Sequence, residues 1–234
     1  MITRIAAIAS VIAALVLALS GPGTRLGLFD WQVGFTMLRW AMYVGFAAAA
    51  VALILLIVPK TRRMGPGWLV AAIAIGVAAG APVIGLRSQA GNVPRIHDIT
   101  TDTSNPPAFV TLLAMRKTVP NGADYGGLEV AAEQKKAYPD LAPLELPMAP
   151  AKAFDRALEG ARAMGWDIAA SDAASGRIEA TATTMWFGFK DDIVVRITPQ
   201  GAGSRVDVRS VSRVGKSDIG ANARRVREYL SKLT

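Results

Sequence analysis

Between Arg177 and Arg213 the chain alternates apolar and polar residues in three successive runs, a pattern that strands satisfy by turning one face to a core. In RIEATATTMW, Ile178, Ala180, Ala182 and Thr184 fall on one face and Arg177, Glu179, Thr181 and Thr183 on the other. DDIVVRIT turns Ile193, Val195 and Ile197 inward. SRVDVRSVSR turns Val206 and Val208 inward, with Arg205, Asp207 and Arg209 outward. Turns holding Gly188 and Pro199 to Gly203 separate the runs, which predicts an antiparallel meander. Ser217 and Asp218 then supply an N-cap and a first-turn acid. Ile219, Ala223, Val226, Leu230 and Leu233 recur at helical spacing, so a closing helix is expected across the sheet.

Upstream, Leu141, Leu144 and Leu146 predict a short strand. Pro150 opens a helical pattern through Phe154, Ala157, Leu158, Ala161 and Met164, and Gly165 stops it. Trp166 to Ser171 is the next strand, with a turn at Ala173 to Gly176. Strand, helix, four antiparallel strands and helix make residues 141–234 an α+β domain, one antiparallel sheet with helices packed on one face. Residues 87–140 are broken by Pro94, Pro106 and Pro107 and loosened by Gly122, Gly126 and Gly127. They are expected to form an extended connector and irregular segment on the domain surface, with one short helical stretch before Lys136.

Residues 1–86 read as a transmembrane region with spans at about 5–20, 41–58 and 68–86. The first run, Ile5 to Ser20 behind the basic head Met1 to Arg4, also fits a cleaved signal peptide ending near Ala18 and Ser20. An uncleaved helix is preferred because further spans follow. The second run carries Trp31, Trp40 and Tyr43 toward one end and Lys60, Arg62 and Arg63 past the other, an aromatic belt and a basic stop. In the third, Gly76 and Gly80 stand at GxxxG spacing, read first as packing within one bundle rather than dimerisation. The loop with Lys60, Arg62 and Arg63 is the most basic short connection, so it is expected in the cytoplasm. That places the C-terminal domain outside the cytoplasm, held by a multi-pass anchor in the cytoplasmic membrane.

A net charge of +8 invites a nucleic-acid reading, but residues 1–86 hold six basic and one acidic side chain, against twenty and seventeen in residues 87–234. Most of the surplus is topological, and nucleic acid is not an expected partner. The chain has no cysteine, which excludes disulfides, thiolate metal sites and cysteine nucleophiles.

Three ordered blocks, RIHDITTDTSNPPAF (95–109), WFGFKDDIVVRI (186–197) and RSVSRVGKSDIGANARRVREYL (209–230), with AYPDL (137–141) and the pair Gly165-Trp166 between them, carry a likeness. Over roughly residues 94–231 the chain resembles the bacterial domain-of-unknown-function family 1499. The resemblance implies a membrane-tethered envelope domain without an assigned reaction, so it supplies no catalytic residues to carry over. The order of strands and helices is also similar to the helix-grip domains of an accessory lipoprotein of the outer-membrane barrel assembly machine, a likeness of fold alone.

The candidate chemistry is sparse. Gly215-Lys216-Ser217 lacks the glycine a phosphate loop needs five positions earlier, where Ser210 stands, so nucleotide binding is rejected. Lys216 and Ser217, at a helix start with Arg213 or Arg224 nearby, still suit a simple anion, against the plainer reading of an ordinary capped helix. His97, the only histidine, lies near Asp98 and Asp102, but three residues on a proline-rich connector make a poor metal or catalytic set. Asp191 and Asp192 are strand neighbours and face opposite ways, so they cannot share a proton or a metal. Arg205, Arg209 and Arg213 share a face with Asp207, Arg196 and Glu179, which predicts cross-strand ion pairs or a surface for anionic headgroups. For Trp186, Phe187 and Phe189 at a hairpin tip, burial beneath the connector is expected first, with contact to membrane or a partner as the alternative.

The sequence reading is therefore a non-catalytic envelope module that binds a protein or lipid-like partner, without metal or cofactor. Candidate anion or ligand contacts are Arg209, Arg213, Lys216, Ser217, Asp218, Asn222 and Arg224, and candidate partner or membrane contacts are Trp186, Phe187 and Phe189. The competing reading is an enzyme acting on an envelope anion through Asp192, Arg209, Arg213 and Ser217. It requires those side chains to converge on a pocket, whereas the module reading requires them to splay into pairs.

Overall fold

The computed structural model describes residues 2–63 and 65–234; Met1, in the basic head, and Met64, in the basic loop, lie outside them. The chain forms two units, Met1–Gly91 with Met185–Gly188, and Asn92–Thr184 with Phe189–Thr234.

The first unit is built on helices α1 (Ile2–Arg25), α2 (Trp31–Ile57) and α4 (Pro66–Gly91), with the single turn α3 (Pro59–Arg62) before α4. All three long helices are apolar and, at 24, 27 and 26 residues and about 1.5 Å per residue, long enough to cross a hydrocarbon core of about 30 Å. Apolar tails in lipid give no hydrophobic drive to associate, so such helices hold together by close packing and interhelical hydrogen bonds. Small residues supply that here. A Cβ on Gly45 of α2 would stand 2.7 Å from the carbonyl oxygen of Gly76 on α4, and Gly80 receives the ring of Phe46. The GxxxG pair is thus used within the bundle. Ser10 Oγ donates to the Ala72 carbonyl at 2.8 Å, beside a cluster of Ala6, Ala7, Ala52 and Leu69.

The second unit contains β1 (Asp98–Thr100), α5 (Leu113–Arg116), α6 (Gly127–Ala137), β2 (Leu144–Leu146), α7 (Pro150–Ala163), β3 (Asp167–Asp172), β4 (Arg177–Thr183), β5 (Lys190–Gln200), β6 (Gly203–Ser212) and α8 (Ala221–Leu233). The sheet is antiparallel in the order β1-β6-β5-β4-β3, and β2 also pairs with β6. Register sets Ile193 between Ala180 and Ser210, and Val195 between Ile178 and Val208, so the apolar residues of three strands share one face. Helices α7 and α8 cover that face with Phe154, Ala157, Ala161, Ala223, Val226, Tyr229 and Leu233. Tyr229 stacks on Trp166 with centroids 4.7 Å apart and donates its hydroxyl to the Ala157 carbonyl at 2.8 Å, so its polar end is satisfied inside the core. Gly160 lets α8 approach α7, since a Cβ there would stand 2.9 Å from Leu233 Cδ2.

Two local readings are corrected. Helix α8 begins at Ala221 rather than at Ser217, because Ile219 and Gly220 are left-handed, with φ of 53° and 72°. Asp218 still serves the helix start, its carboxylate accepting Gly220 N at 2.8 Å and Asn222 N at 2.7 Å. The stretch read as a surface connector contributes β1 to the sheet and buries Ile96, Ile99, Phe109 and Arg116. Residues 101–125 form a layer on the sheet face opposite the helices, where Phe109, Leu112, Leu113 and Ala123 pack with Val194 and Val211.

Candidate functional site

Period-two alternation puts Glu179 and Thr181 of β4, Asp192 and Arg196 of β5, and Arg205, Asp207, Arg209 and Arg213 on this second face. In an open sheet they would be solvated. Under the 101–125 layer, Glu179 and Asp192 are fully buried and Asp207 and Arg209 nearly so. Buried charges are tolerable only when paired and hydrogen-bonded.

Each one is. Arg116, fully buried on α5, donates to Asp192 Oδ2 at 2.7 Å, to Val211 O at 3.1 Å and to Gly122 O at 2.9 Å. Burial pushes its guanidinium down from the ordinary value, and the bond to Asp192 pushes back. Arg213 reaches the same carboxylate at 2.8 Å, and Thr181 Oγ1 donates to it at 2.8 Å. Arg209 forks onto Asp98 at 3.0 and 2.7 Å. The ring of Phe109 lies 4.9 Å from the Arg116 guanidinium carbon and 5.4 Å from that of Arg209, so both cations also have an aromatic face. Glu179 accepts backbone N–H bonds from Val110, Thr111 and Leu112 at 2.8 to 3.0 Å, tying the layer to β4. Nearer the rim, Asp102 and Asp207 share Arg196 and Arg205. Tyr125 lies under Arg209, and burial together with Asp98 holds its hydroxyl pKa up at about 12.

The helix-covered face carries a second polar cluster at the start of α8. Asn222 accepts from Ser210 Oγ at 2.7 Å and donates to His97 O and Ser212 Oγ at 3.0 Å each. Arg225 bonds Asn222, Ser210 and Asp191. Burial raises the Asp218 carboxyl above the usual range, against the two N–H bonds that lower it.

The seven candidate anion contacts therefore do not form one site. Arg209 and Arg213 face the 101–125 layer and are held by Asp98 and Asp192. Ser217, Asp218, Asn222 and Arg224 gather at the α8 start on the other side of the sheet, where Ser217 Oγ donates to Pro94 O and Arg224 to Ile219 O. Lys216 is exposed on the loop before them. Asp191 and Asp192 do face opposite ways, Asp191 to Arg225 and Asp192 to Arg116 and Arg213. Asp98 and Asp102 are likewise drawn to different arginines, and among the described residues no three His, Asp or Glu side chains are grouped to hold a metal ion.

The aromatic tip is not covered by the connector. Met185–Gly188 belongs with the helical unit, where Phe187 packs on Leu38, Met42 and Val83 and meets Phe35 edge-on at 5.1 Å. Trp186 rests on Gly21 and stays half-exposed, and Arg25 donates to the Met185 carbonyl at 2.6 Å. Sequence reasoning missed Arg116, Asp98 and Arg225 as partners of the sheet charges. The available signal was stoichiometric: the outward residues of β5 and β6 hold charges of both signs within pairing distance.

Residues 98–233 match the sequence model of a family described as protein of unknown function (DUF1499). No curated protein matches the chain.

Proposed function

The chain belongs to the DUF1499 family, and we propose that it is a membrane-anchored, non-catalytic binding module whose sheet domain lies outside the cytoplasm. The observation that carries this reading is the internal use of the charged side chains: Asp192, Arg209 and Arg213 are spent on Arg116, Asp98 and one another. An enzyme using those residues with Ser217 is not favoured, since Ser217 lies across the sheet from them and bonds Pro94 O. The orientation rests on charge. Lys60, Arg62 and Arg63 crowd the short connection between α2 and α4, whereas Arg25 and Arg39 flank Asp30 around the connection between α1 and α2.

Binding surface is available on both units. Among the described residues, Leu128 on α6 and Met185 are the most exposed large apolar side chains, at 91% and 87%. With photo-reactive residues at these two positions in the full-length chain in cells, the expected result is one recurring protein or lipid adduct. A reporter active only in the cytoplasm, fused after Thr234, should be silent. Crosslinks confined to the chain itself at both positions would contradict the module reading, and an active reporter would reverse the orientation.

A further inference from the structure

One end of the sheet domain gathers basic side chains that the ion-pair networks leave over. Three backbone hydrogen bonds and one from a side chain define it. Arg213 N donates to Lys190 O at 3.0 Å, Ser212 N to His97 O at 3.0 Å, and Asp218 N to Ile96 O at 3.3 Å. Arg224 Nη1 meets Ile219 O at 3.0 Å. The start of β5, the loop after β6, the segment before β1 and the start of α8 therefore lie together. They carry Arg95, Lys190, Lys216 and Arg224, all exposed. Among the described residues none of these four pairs with a carboxylate. The acids nearby are committed: Asp191 to Arg225, Asp192 to Arg116 and Arg213, and Asp218 to two backbone N–H groups.

The concentration is out of proportion to the domain's charge. Residues 92–234 hold nineteen Lys and Arg against seventeen Asp and Glu, so these four side chains exceed the whole surplus. Their place in the chain is equally specific. Arg95 follows the last residue of α4 by four positions, a span of at most about 14 Å of extended chain. Lys190 follows Gly188, the last residue of the loop that belongs with the membrane helices, by two. Both are therefore joined by only a few residues of chain to the unit whose helices are long enough to cross a membrane.

We infer that Arg95, Lys190, Lys216 and Arg224 form a basic rim that binds the anionic headgroups of membrane lipids. The chemistry is that of a juxtamembrane polybasic cluster, in which long cationic side chains meet lipid phosphates, each charge strengthens association about fivefold, and salt weakens it. Arg95 and Arg224 can fork onto phosphate oxygens, while Lys190 and Lys216 act as point charges.

The test uses the full chain purified in a neutral detergent and titrated with dihexanoyl phosphatidylglycerol, dihexanoyl phosphatidylcholine or inorganic phosphate, with binding read by thermal shift. The rim variant is Arg95→Gln/Lys216→Gln/Arg224→Gln. A control variant, Lys135→Gln/Lys136→Gln/Lys152→Gln, removes three exposed charges elsewhere on the domain. The expected result is salt-sensitive binding of phosphatidylglycerol over phosphatidylcholine, weakened on the order of a hundredfold in the rim variant and unchanged in the control. Equal affinity in the rim variant, or no preference for the anionic lipid, would overturn the inference. Saturable binding of inorganic phosphate with the same loss would also overturn it, in favour of a small-anion site. If the triple variant does not fold, Lys216→Gln alone should show the fivefold loss, and retained affinity there is equally decisive against the rim. The inference deepens the binding-module reading, and its failure leaves the crosslinks from Leu128 and Met185 to judge that reading separately.

Discussion

Arg116→Ala should destabilise the sheet domain by about 3–5 kcal/mol, the usual consequence of removing one partner of a buried ion pair. Arg116 is fully buried, and its guanidinium satisfies Asp192 together with the carbonyls of Gly122 and Val211. Alanine removes all those donors at once and leaves Arg213, itself 19% exposed, as the remaining cation for Asp192. Lysine keeps the charge but not the planar fork, so Arg116→Lys should recover only part of the loss. The desolvation argument also predicts that Arg116→Met combined with Asp192→Leu loses less than either single change, because only Arg213, which is partly exposed to water, is then left without its carboxylate. Urea unfolding of the purified chain in neutral detergent measures the series. A loss below about 1 kcal/mol for Arg116→Ala would mean that water reaches the second face and that the pair is not buried in solution.

The second large effect is expected in the helical unit. Gly76→Leu should separate α2 from α4, because the facing backbones touch at Gly45 and Gly76 and Ala49 and Ala79 close the same contact. Overpacking a close contact costs roughly 1–3 kcal/mol in a soluble core. Without hydrophobic drive between helices in lipid, a loss of that size removes much of what holds the pair together. The absence of native cysteine makes the readout clean. Cysteines at Ala52 and Ala72, which share one buried cluster, should crosslink in the parent chain and fail to do so with Gly76→Leu. Unchanged crosslinking would show that the two helices tolerate the side chain and that the glycine contact does not organise the bundle.

The strands at Ile178, Ile193 and Val206 could be read because one buried face imposes period two on adjacent residues, and the register follows from short turns. The polar face was ambiguous for a physical reason. Glu179, Asp192 and Arg209 look the same in sequence whether water or another layer of chain lies above them, and the layer is supplied by residues about 70 to 100 positions away. A proline-rich segment without periodicity gives no local sign that it will bury an arginine. Backbone conformation was hidden as well. Ile219 adopts φ of 53°, which β-branched residues rarely do, so the helical spacing that begins at Ile219 overstated the helix by a turn. For Phe187, the hairpin tip was legible but its packing on Leu38, Met42 and Val83 depends on contacts far away in sequence.

The buried charges stay paired and dry only if the 101–125 layer is an integral part of the domain rather than a cover that opens over the charged face. Hydrogen exchange of the full-length chain, followed by mass spectrometry, tests that most directly. Val110, Thr111 and Leu112 donate their N–H groups to the fully buried Glu179, so their amides should exchange only as slowly as those of β5 and β6, through global unfolding. Rapid exchange of peptides from 101–125 while β5 and β6 stay protected would contradict the account. It would mean that the layer lifts by itself and offers Asp192, Arg209 and Arg213 to a ligand.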